Sequence, residues 1–419
     1  MRSVVVTGIG LVTCLGHDTA SVGEKLRHLQ HGIVKHPPFI GDPKIPISVA
    51  APISGFETNS TDPEDWTYPG ELRFRLEQLR GLSPNALYAH FSLTRAVSDA
   101  GLDLESISDS RTGLYTASSG SAMMTHYNLS RMKKVGPQRC SPLGIVSSIA
   151  GTLNFNLAAA YKIRGSTSGF VSACASSGHA MGFAFDEIAL GRQDRMVVVG
   201  AEDFTEETIA PFSGMRVLSE SDDPDTASRP FDKNRNGFVG TGGSVTLILE
   251  EEEAAKKRGA NIYARLSGWG QATDGYHVAA SHPDGDGLAR AMRLALENAG
   301  WSASDVDYVN AHATSTTAGD ISECRALNSV FNDGASPAIS STKALTGHAL
   351  SLSSIMEASF CLIAMNQGFT PGSAHISELD EEASGLNILK ESVANAPEKV
   401  LSNSSGFGGV NVVVALEKA

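Results

Sequence analysis

Residues 172–179 read Ser-Ala-Cys-Ala-Ser-Ser-Gly-His, and residues 341–348 read Ser-Thr-Lys-Ala-Leu-Thr-Gly-His. Each segment comes immediately before a long stretch with helical periodicity, so both read as tight elbows that lead into a helix. The same local design therefore occurs twice in the chain. The period of roughly 180 residues is far longer than any solenoid repeat and indicates a duplicated domain.

The strand-like runs around the two elbows repeat in the same order. Apolar, β-branched runs alternate with helical patterns, which is typical of an α/β fold with a buried sheet. Residues 263–268 match the opening run at 4–7, residues 306–310 match the run at 113–116, and residues 410–416 match the run at 245–249. We therefore predict two similar halves, residues 1–259 and residues 260–419, with the charged stretch 250–259 between them.

Composition restricts the class of protein. The chain has 419 residues, 41% hydrophobic and 19% charged, with 42 glycines, which suits two coupled globular units. Its net charge of −13 argues against nucleic acid as a partner. The apolar run at 4–7 is too short for a signal sequence or a membrane span, so we expect a cytoplasmic protein with no membrane association. Five cysteines without a C-x-x-C pair favour neither a disulfide framework nor a metal site.

Cys174 is the cysteine that the sequence places best for chemistry. It follows the strand-like residues 169–171 and stands at the start of a predicted helix that runs to Leu190. Backbone N–H groups at a helix N-terminus favour a thiolate, so we expect a lowered thiol pKa. Taken alone, a residue of this kind is more often a buried structural cysteine than a nucleophile.

Two histidines change that balance. His312 follows the apolar run 306–309, and the carboxyl end of a strand in an α/β sheet is a usual ligand-binding position. His348 closes the second elbow. Either histidine alone would be an ordinary hydrogen-bonded residue, whereas together with Cys174 they indicate nucleophilic catalysis.

These motifs resemble those of the β-ketoacyl-acyl-carrier-protein synthases of the thiolase superfamily, nearest to the bacterial elongating synthases I and II. The resemblance extends from residues 4–10 to the glycine loop at 403–411. The matching motifs are, in order, the elbow at Cys174, Arg229-Pro230-Phe231-Asp232 with Asn236-Gly237-Phe238-Val239, the threonine-rich loop at His312, Ser341-Thr342-Lys343 with Gly347-His348, and Asn403-Ser404-Ser405-Gly406-Phe407-Gly408-Gly409. The resemblance implies an α/β, thiolase-like layered αβαβα fold made of two duplicated halves.

The resemblance also implies roles at the matching positions. Cys174 would attack an acyl thioester and hold the growing chain, while His312 and His348 would stabilise the enolate formed when a malonyl thioester loses carbon dioxide. Backbone N–H groups of Cys174 and Phe407 would form an oxyanion hole. The implied reaction is a decarboxylative Claisen condensation of an enzyme-bound acyl group with malonyl carrier protein.

Further matching residues would support that site. Lys343 would support His312, and Glu357 and Asp320 would organise the surroundings. The hydroxyl groups of Thr314 and Thr316 would bind the phosphopantetheine arm on which the acyl carrier protein presents its substrates. The resemblance implies no metal and no other cofactor.

The implied partners are an acyl carrier protein and a second synthase subunit. The carrier is acidic, and the cluster Arg131, Lys133 and Lys134, with Arg80 elsewhere, could dock it or could equally be an ordinary solvated surface. The second subunit would form a homodimer, or a heterodimer if it is a related chain. His179 reads as structural, and His277 and His282 read as part of the acyl entrance.

Three departures from the family pattern surround the predicted site. Ser405 stands where a phenylalanine gate is usual, Ala313 replaces a glycine, and residues 349–354 read Ala-Leu-Ser-Leu-Ser-Ser instead of a glycine- and alanine-rich stretch. They leave the nucleophile and both histidines intact. We therefore expect a specialised fatty-acid or polyketide/polyene pathway, with Ser405 in contact with substrate.

The same motifs are compatible with two alternative functions. The chain could be the active half of a heterodimer with a non-catalytic chain-length subunit, or a housekeeping fatty-acid elongation enzyme. A thiolase is disfavoured because the loop 402–409 lacks the second active cysteine, and Cys361 reads as a core residue. A non-catalytic subunit is disfavoured because Cys174 is present.

Overall fold

The strands form one large mixed sheet and one short ladder. The computed structural model describes residues 1–36, 44–45, 47–332, 334 and 336–419. Within these residues, ten strands make the large sheet and two make the ladder. The strands are β1 (Val4–Val12), β2 (Val34–Lys35), β3 (Val49–Ala50), β4 (Thr112–Ala117), β5 (Thr167–Phe170), β6 (Arg195–Glu202), β7 (Gly243–Glu251), β8 (Ala264–Thr273), β9 (Tyr308–Asn310), β10 (Ala338–Ser340), β11 (Lys399–Gly406) and β12 (Val410–Glu417).

The order of the large sheet shows the duplication directly. It runs β10-β9-β11-β12-β8-β1-β7-β6-β4-β5, so the strands read outward from the β8–β1 pair in matching order on both sides. Within the sheet, the described residues join the two halves where residues 4–6 of β1 pair with residues 264–266 of β8. Each of the three strand matches predicted from the sequence joins equivalent strands of the two halves: β1 with β8, β4 with β9, and β7 with β12. The boundary at residue 259 stays a prediction.

Helices cover the sheet in three layers. The helices of the described residues are α1 (Thr19–Arg27), α2 (Leu76–Leu79), α3 (Pro84–Asp99), α4 (Ala122–Val135), α5 (Gly144–Ser148), α6 (Thr152–Tyr161), α7 (Ser176–Ala189), α8 (Glu206–Ile209), α9 (Pro224–Ala227), α10 (Glu252–Lys257), α11 (Asp286–Ala299), α12 (Thr317–Val330), α13 (Lys343–Thr346) and α14 (Ser353–Gln367). Helices α7 and α14 contribute to the central core, α3 and α6 to a core on the first half, and α11 and α12 to a core on the second half. This arrangement confirms the predicted αβαβα fold.

Equivalent glycines allow the outer helices to approach the sheet. A Cβ on Gly10 of β1 would lie 1.8 Å from the carbonyl oxygen of Ser92 in α3. A Cβ on Gly270 of β8 would lie 2.2 Å from the carbonyl oxygen of Ala291 in α11. Both distances are far inside van der Waals contact, so only glycine fits at either position. The same packing solution is used in both halves.

The topology gathers the predicted functional residues at one region. Strands β9, β10 and β11 are mutually parallel, so their carboxyl ends lie at one edge and deliver the segments at His312, Lys343 and Phe407. Strand β5, parallel to β4, ends just before Cys174. In the part of the chain that is described, no helix is long and apolar enough to cross a membrane.

Candidate active site

Cys174 lies in a strained elbow between β5 and α7. Ala173 adopts a left-handed φ of 49°, which is unusual for a residue with a side chain and turns the chain sharply before the thiol. Hydrogen bonds fix the turn: the Ser172 amide donates to Ser176 Oγ (2.8 Å), and Ser172 Oγ lies 2.7 Å from His179 Nδ1. Helix α7 begins two residues after Cys174. His179 thus contacts the elbow, as its predicted structural role requires.

The two histidines lie beside the thiol. His348 Nε2 is 3.0 Å from Cys174 Sγ, and the His312 and His348 rings meet edge to face with centroids 5.2 Å apart. All three side chains are buried. Their Sγ and ring nitrogen atoms lie within 4.8 Å of one another, a spacing that could also hold a metal ion. The structure therefore brings together the three residues on which the sequence prediction rests.

Burial determines the protonation states of this group. It lowers the pKa of both His312 and His348 well below the usual value, and the nearby Lys343 lowers them further. Burial also raises the pKa of the Cys174 thiol to about 12, although Lys343 opposes the shift. The resting site thus holds two neutral imidazoles and a protonated thiol. The position at a helix N-terminus predicts a lowered thiol pKa. In the enclosed site the thiol pKa is raised instead, because desolvation outweighs the effect of the helix.

A buried carboxylate shapes the loop that carries His312. Glu323, on α12, accepts hydrogen bonds from the backbone amides of His312 (2.9 Å) and Ala313 (2.6 Å). Asn403 Nδ2 donates to the same carboxylate at 3.0 Å. Glu323 therefore ties the histidine loop to the terminal glycine loop. Among the described residues, Nδ1 of His312 itself is buried without a hydrogen-bond partner.

Lys343 and Glu357 form a buried ion pair behind the histidines. The Lys343 ammonium contacts the Glu357 carboxylate, and the two side chains are only 1% and 3% exposed. Burial raises the pKa of Glu357 to about 7, and Lys343 opposes that rise. Because removal of either partner would leave the other charge buried and alone, the pair depends on both residues. Burial is the main cause of the lowered His312 pKa, and the positive charge of Lys343 lowers that pKa further.

The threonine loop lies between His312 and α12. Thr314 Oγ1 and Thr316 Oγ1 are 3.0 Å apart, and Ser315 between them has a left-handed φ of 72°. Asp320 lies further back, where its carboxylate pairs with Arg235 Nε at 3.2 Å. It supports the loop from beneath because Arg235 also donates to the Thr316 carbonyl oxygen.

The glycine loop completes the wall opposite the histidines. A Cβ on Gly406 would lie 3.0 Å from the Cys174 backbone nitrogen, so the loop approaches the elbow as closely as glycine permits. Phe407 follows in a turn that contains Gly408 and Gly409, both with positive φ. This placement brings the segments of Cys174 and Phe407 together, as the predicted oxyanion hole requires.

Two chambers meet at the thiol. The entrance chamber, about 440 Å³, is lined by His277, both catalytic-site histidines, and the two loop threonines, and Ser405 also lines it. The rear chamber, about 560 Å³ and mainly apolar, is lined among others by Leu129, Val171, Phe212 and Leu350. Cys174 and Phe407 line both chambers. A thioester carried to Cys174 from one chamber could therefore leave its acyl group in the other.

Several predicted residues lie outside the reacting group. Ser405 Oγ donates to Asn411 Oδ1 (2.7 Å), so its hydroxyl points along the loop. Arg80 pairs with Glu64 at 2.6 Å on another part of the surface. Arg131, Lys133 and Lys134 are exposed on α4. Cys361 is fully buried within α14, as predicted for a core residue.

Three residues that support the site lie outside the motifs that predict it. Glu323 holds the His312 loop, Ser353 lies 2.9 Å from His348 Nδ1, and Glu202 accepts hydrogen bonds from Ser119 and Ser351 behind the rear chamber. Burial raises the pKa of Glu202 to about 7. Two features of the sequence could have indicated these residues. One is Glu323, an acidic residue in the helix that follows the His312 loop. The other is the set of serines in residues 349–354, directly after His348.

Comparison with known proteins gives a family match over most of the chain. Residues 1–255 match the family model described as the N-terminal domain of β-ketoacyl synthase, and residues 263–377 match its C-terminal domain. A 3-oxoacyl-[acyl-carrier-protein] synthase 1 from Haemophilus influenzae is 36% identical over 426 residues, covering 100% of this chain and 99% of that protein.

Solved structures agree with the sequence match. A β-ketoacyl synthase from Burkholderia phymatum superimposes with a TM-score of 0.90 at 32% identity and covers the whole of both chains. A structure described as the ishigamide ketosynthase/chain length factor has a TM-score of 0.88 at 28% identity, covering 100% of this chain and 99% of that one.

Replacement of the thiol provides the first test of this site. Cys174→Ala should abolish acyl-enzyme formation because it removes the sulfur shared by both chambers, and intact-protein mass after incubation with acyl carrier protein measures this. Cys140→Ala, which removes a partly exposed thiol that lines neither chamber, is the control and should acylate normally. Cys174→Gln should still release carbon dioxide from malonyl carrier protein because both imidazoles remain. Acylation of Cys174→Ala would remove this residue from its role.

Proposed function

This chain belongs to the β-ketoacyl synthase family of acyltransferases, and we propose that Cys174, His312 and His348 carry out its condensation in a specialised fatty-acid or polyketide pathway. The observation that carries the proposal is the position of the Cys174 sulfur, which lines both chambers and lies 3.0 Å from His348 Nε2. The general activity is that of a β-ketoacyl-acyl-carrier-protein synthase. The residue roles, pathway and subunit arrangement are the parts proposed here.

The first half-reaction transfers the acyl group to the enzyme. Cys174 Sγ attacks the acyl thioester, its new S–C bond replaces the bond to the pantetheine sulfur, and the thiol proton leaves with the pantetheine thiol. Backbone N–H groups of Cys174 and Phe407 stabilise the oxyanion of the tetrahedral intermediate. The acyl chain then occupies the rear chamber, whose wall is mainly apolar.

The second half-reaction makes the carbon–carbon bond. Malonyl thioester enters through the entrance chamber, with Thr314 and Thr316 offering hydroxyls to the pantetheine arm. Loss of carbon dioxide leaves an enolate, whose oxygen accepts hydrogen bonds from His312 and His348. The enolate carbon attacks the acyl carbonyl, the S–C bond to Cys174 breaks, and the thiolate takes up one proton. Neutral imidazoles suit this role because they donate without adding a buried charge.

The histidines should act mainly in the second half-reaction. His312→Ala and His348→Ala should each reduce condensation by about a hundredfold or more, as expected when a preorganised donor is removed. Acylation of Cys174 should fall less. Separate rate measurements for acyl-enzyme formation and for carbon dioxide release distinguish the two steps, with His28→Ala, at the exposed residue that follows α1, as a control. If both variants lose acylation as completely as Cys174→Ala, the histidines serve the nucleophile instead.

A second synthase subunit is the partner best supported by the surface of the chain. Strand β5 is the outer edge of the large sheet and is mostly exposed, leaving backbone groups free to pair with another strand. Around it lie the exposed apolar side chains of Val171, Phe155, Ile145 and Phe183. An exposed apolar patch beside an open sheet edge favours a stable dimer. We propose a homodimer, with a related chain-length subunit as the alternative partner.

Light scattering of the purified chain tests the dimer. A homodimer should give twice the chain mass of 44.0 kDa, and Val171→Asp should shift it toward monomer because a charge would be buried at the interface. Leu294→Asp, at an exposed apolar position on α11 in the second half, is the control. A monomer that becomes a dimer only with a co-expressed related chain would replace the homodimer by the heterodimer.

Ser405 is the element we propose for acyl selectivity. It belongs to the glycine loop and lines the entrance chamber, through which an acyl chain passes on its way to Cys174, and an aromatic ring there would fill volume that the hydroxymethyl group leaves open. Leu350, which lines the rear chamber, is the alternative residue for filling the space that the missing aromatic ring leaves. Leu352 is fully buried in the central core. The open volume supports conjugated or branched acyl chains as substrates.

Substitution at this position tests the selectivity. Ser405→Phe should depress turnover of conjugated or branched acyl chains while sparing short saturated ones, as measured by parallel condensation assays. Ser405→Ala removes the hydrogen bond to Asn411 without adding volume, so it should leave the ratio of the two rates unchanged. Equal effects of Ser405→Phe on both chain types, or none on either, would assign selectivity to another residue.

A further inference from the structure

Three serines after His348 each contact a different part of the active site. Ser351 donates to Glu202, Ser353 Oγ lies 2.9 Å from His348 Nδ1, and Ser354 Oγ donates to the Cys174 carbonyl oxygen at 3.2 Å. They occupy the stretch 349–354 that departs from the family pattern. All three are buried. Together they connect residues 351–354 to Glu202, to His348 and to the Cys174 backbone.

The local backbone places Ser353 beside the His348 imidazole. It is the first residue of α14 and follows the 3-10 turn at residues 350–352. Leu350, which opens that turn, has a left-handed φ of 51°. The tight turn brings Ser353 beneath the ring only five residues after His348. Ser353 is 1% exposed, so water does not compete for its hydroxyl.

The chemistry of a neutral imidazole gives this contact a consequence. A neutral ring has one N–H donor and one acceptor nitrogen, and the hydrogen bond made by one nitrogen determines the state of the other. Once Cys174 is acylated its sulfur has no proton to give. His348 Nε2 can then contribute to the second half-reaction only as an N–H donor, which requires Nδ1 to be an acceptor.

We propose that the Ser353 hydroxyl donates a hydrogen bond to His348 Nδ1. This bond keeps Nδ1 unprotonated and thereby holds His348 in the Nε2–H form that stabilises the enolate. Ser353 acts through His348 and is a positioning residue. The proposal rests on the proposed function, since it concerns the decarboxylation step. His312 offers a contrast, because among the described residues its Nδ1 has no such partner. Of the two histidines, His348 is therefore the one whose N–H donor form is held by a neighbouring side chain.

Isosteric variants separate the hydroxyl from the packing. Ser353→Thr keeps the hydroxyl and adds a methyl group. Ser353→Val has nearly the same shape as that threonine but lacks the hydroxyl. Ser353→Ala removes the hydroxyl with little added strain. Ser359→Ala is the control, because Ser359 is also buried in α14 and donates to the Met356 carbonyl oxygen. Preformed acyl-enzyme is mixed with malonyl carrier protein, and the single-turnover rate of carbon dioxide release is measured. Acylation is timed separately.

The expected result is a loss tied to the hydroxyl. Ser353→Ala and Ser353→Val should slow carbon dioxide release by about tenfold, the size expected for one lost hydrogen bond, with a smaller effect on acylation. Ser353→Thr should recover most of the rate, and Ser359→Ala should match the unmodified chain.

The pH profile supplies a readout that packing alone would not move. A donor to Nδ1 favours the neutral ring, so its removal should shift the acid limb of carbon dioxide release to higher pH in Ser353→Ala and Ser353→Val but not in Ser353→Thr. The titratable groups that face His348 are Cys174, His312 and Lys343, with Glu202 behind Ser351. These groups are unchanged in every variant, so the difference between Val and Thr isolates the hydroxyl.

Failure of this inference is distinguishable from failure of the proposed function. If the unmodified chain forms no β-ketoacyl product, the proposed function is wrong. If it forms product while Ser353→Val and Ser353→Thr have equal rates and equal acid limbs, Ser353 contributes packing alone and the inference is overturned. A loss of acylation in step with decarboxylation would overturn it as well.

Discussion

Burial of the Cys174 sulfur against the His348 ring is the constraint on which the site depends. A thiol and two imidazoles removed from water are held in their uncharged forms, since desolvation outweighs the opposing effect of Lys343 on the thiol. In the resting site these three groups carry no charge of their own. They act through preorganised N–H donors and through the transient charge that a thioester or enolate brings with it.

The duplicated fold is what makes this constraint possible. The first half supplies the elbow at Cys174, and the second half supplies both histidines at the carboxyl ends of its parallel strands. Helices α7 and α14 pack in the same central layer, where the Ile355 amide of α14 donates to Ser177 Oγ of α7 and Ser354 Oγ donates to the Cys174 carbonyl oxygen just before α7. The reacting groups are therefore fixed by the core itself and not by mobile surface loops.

Much of this could be predicted from the sequence, for identifiable reasons. The two elbows, the strand matches and the Cys174, His312 and His348 motifs are local patterns, and each has a counterpart in the structure. The thiol pKa was predicted in the wrong direction because a helix N-terminus is visible in a sequence whereas the degree of burial is not. Glu323 and Ser353 were not identified because their importance comes from contacts across turns and helices. The same holds for the division into two chambers, since it depends on side chains from both halves.

The central claim is that one buried thiol receives the acyl group from one chamber and a separate enolate step completes the reaction. It is tested most directly by sequential mass spectrometry of the unmodified chain. Incubation with acyl carrier protein alone should place one acyl group on the peptide that contains Cys174, without release of carbon dioxide. Addition of malonyl carrier protein should then discharge that peptide, with one carbon dioxide and one β-ketoacyl carrier formed for each acyl group lost. Formation of β-ketoacyl carrier without prior acylation of the Cys174 peptide, or release of carbon dioxide with the acyl group left in place, would contradict the account.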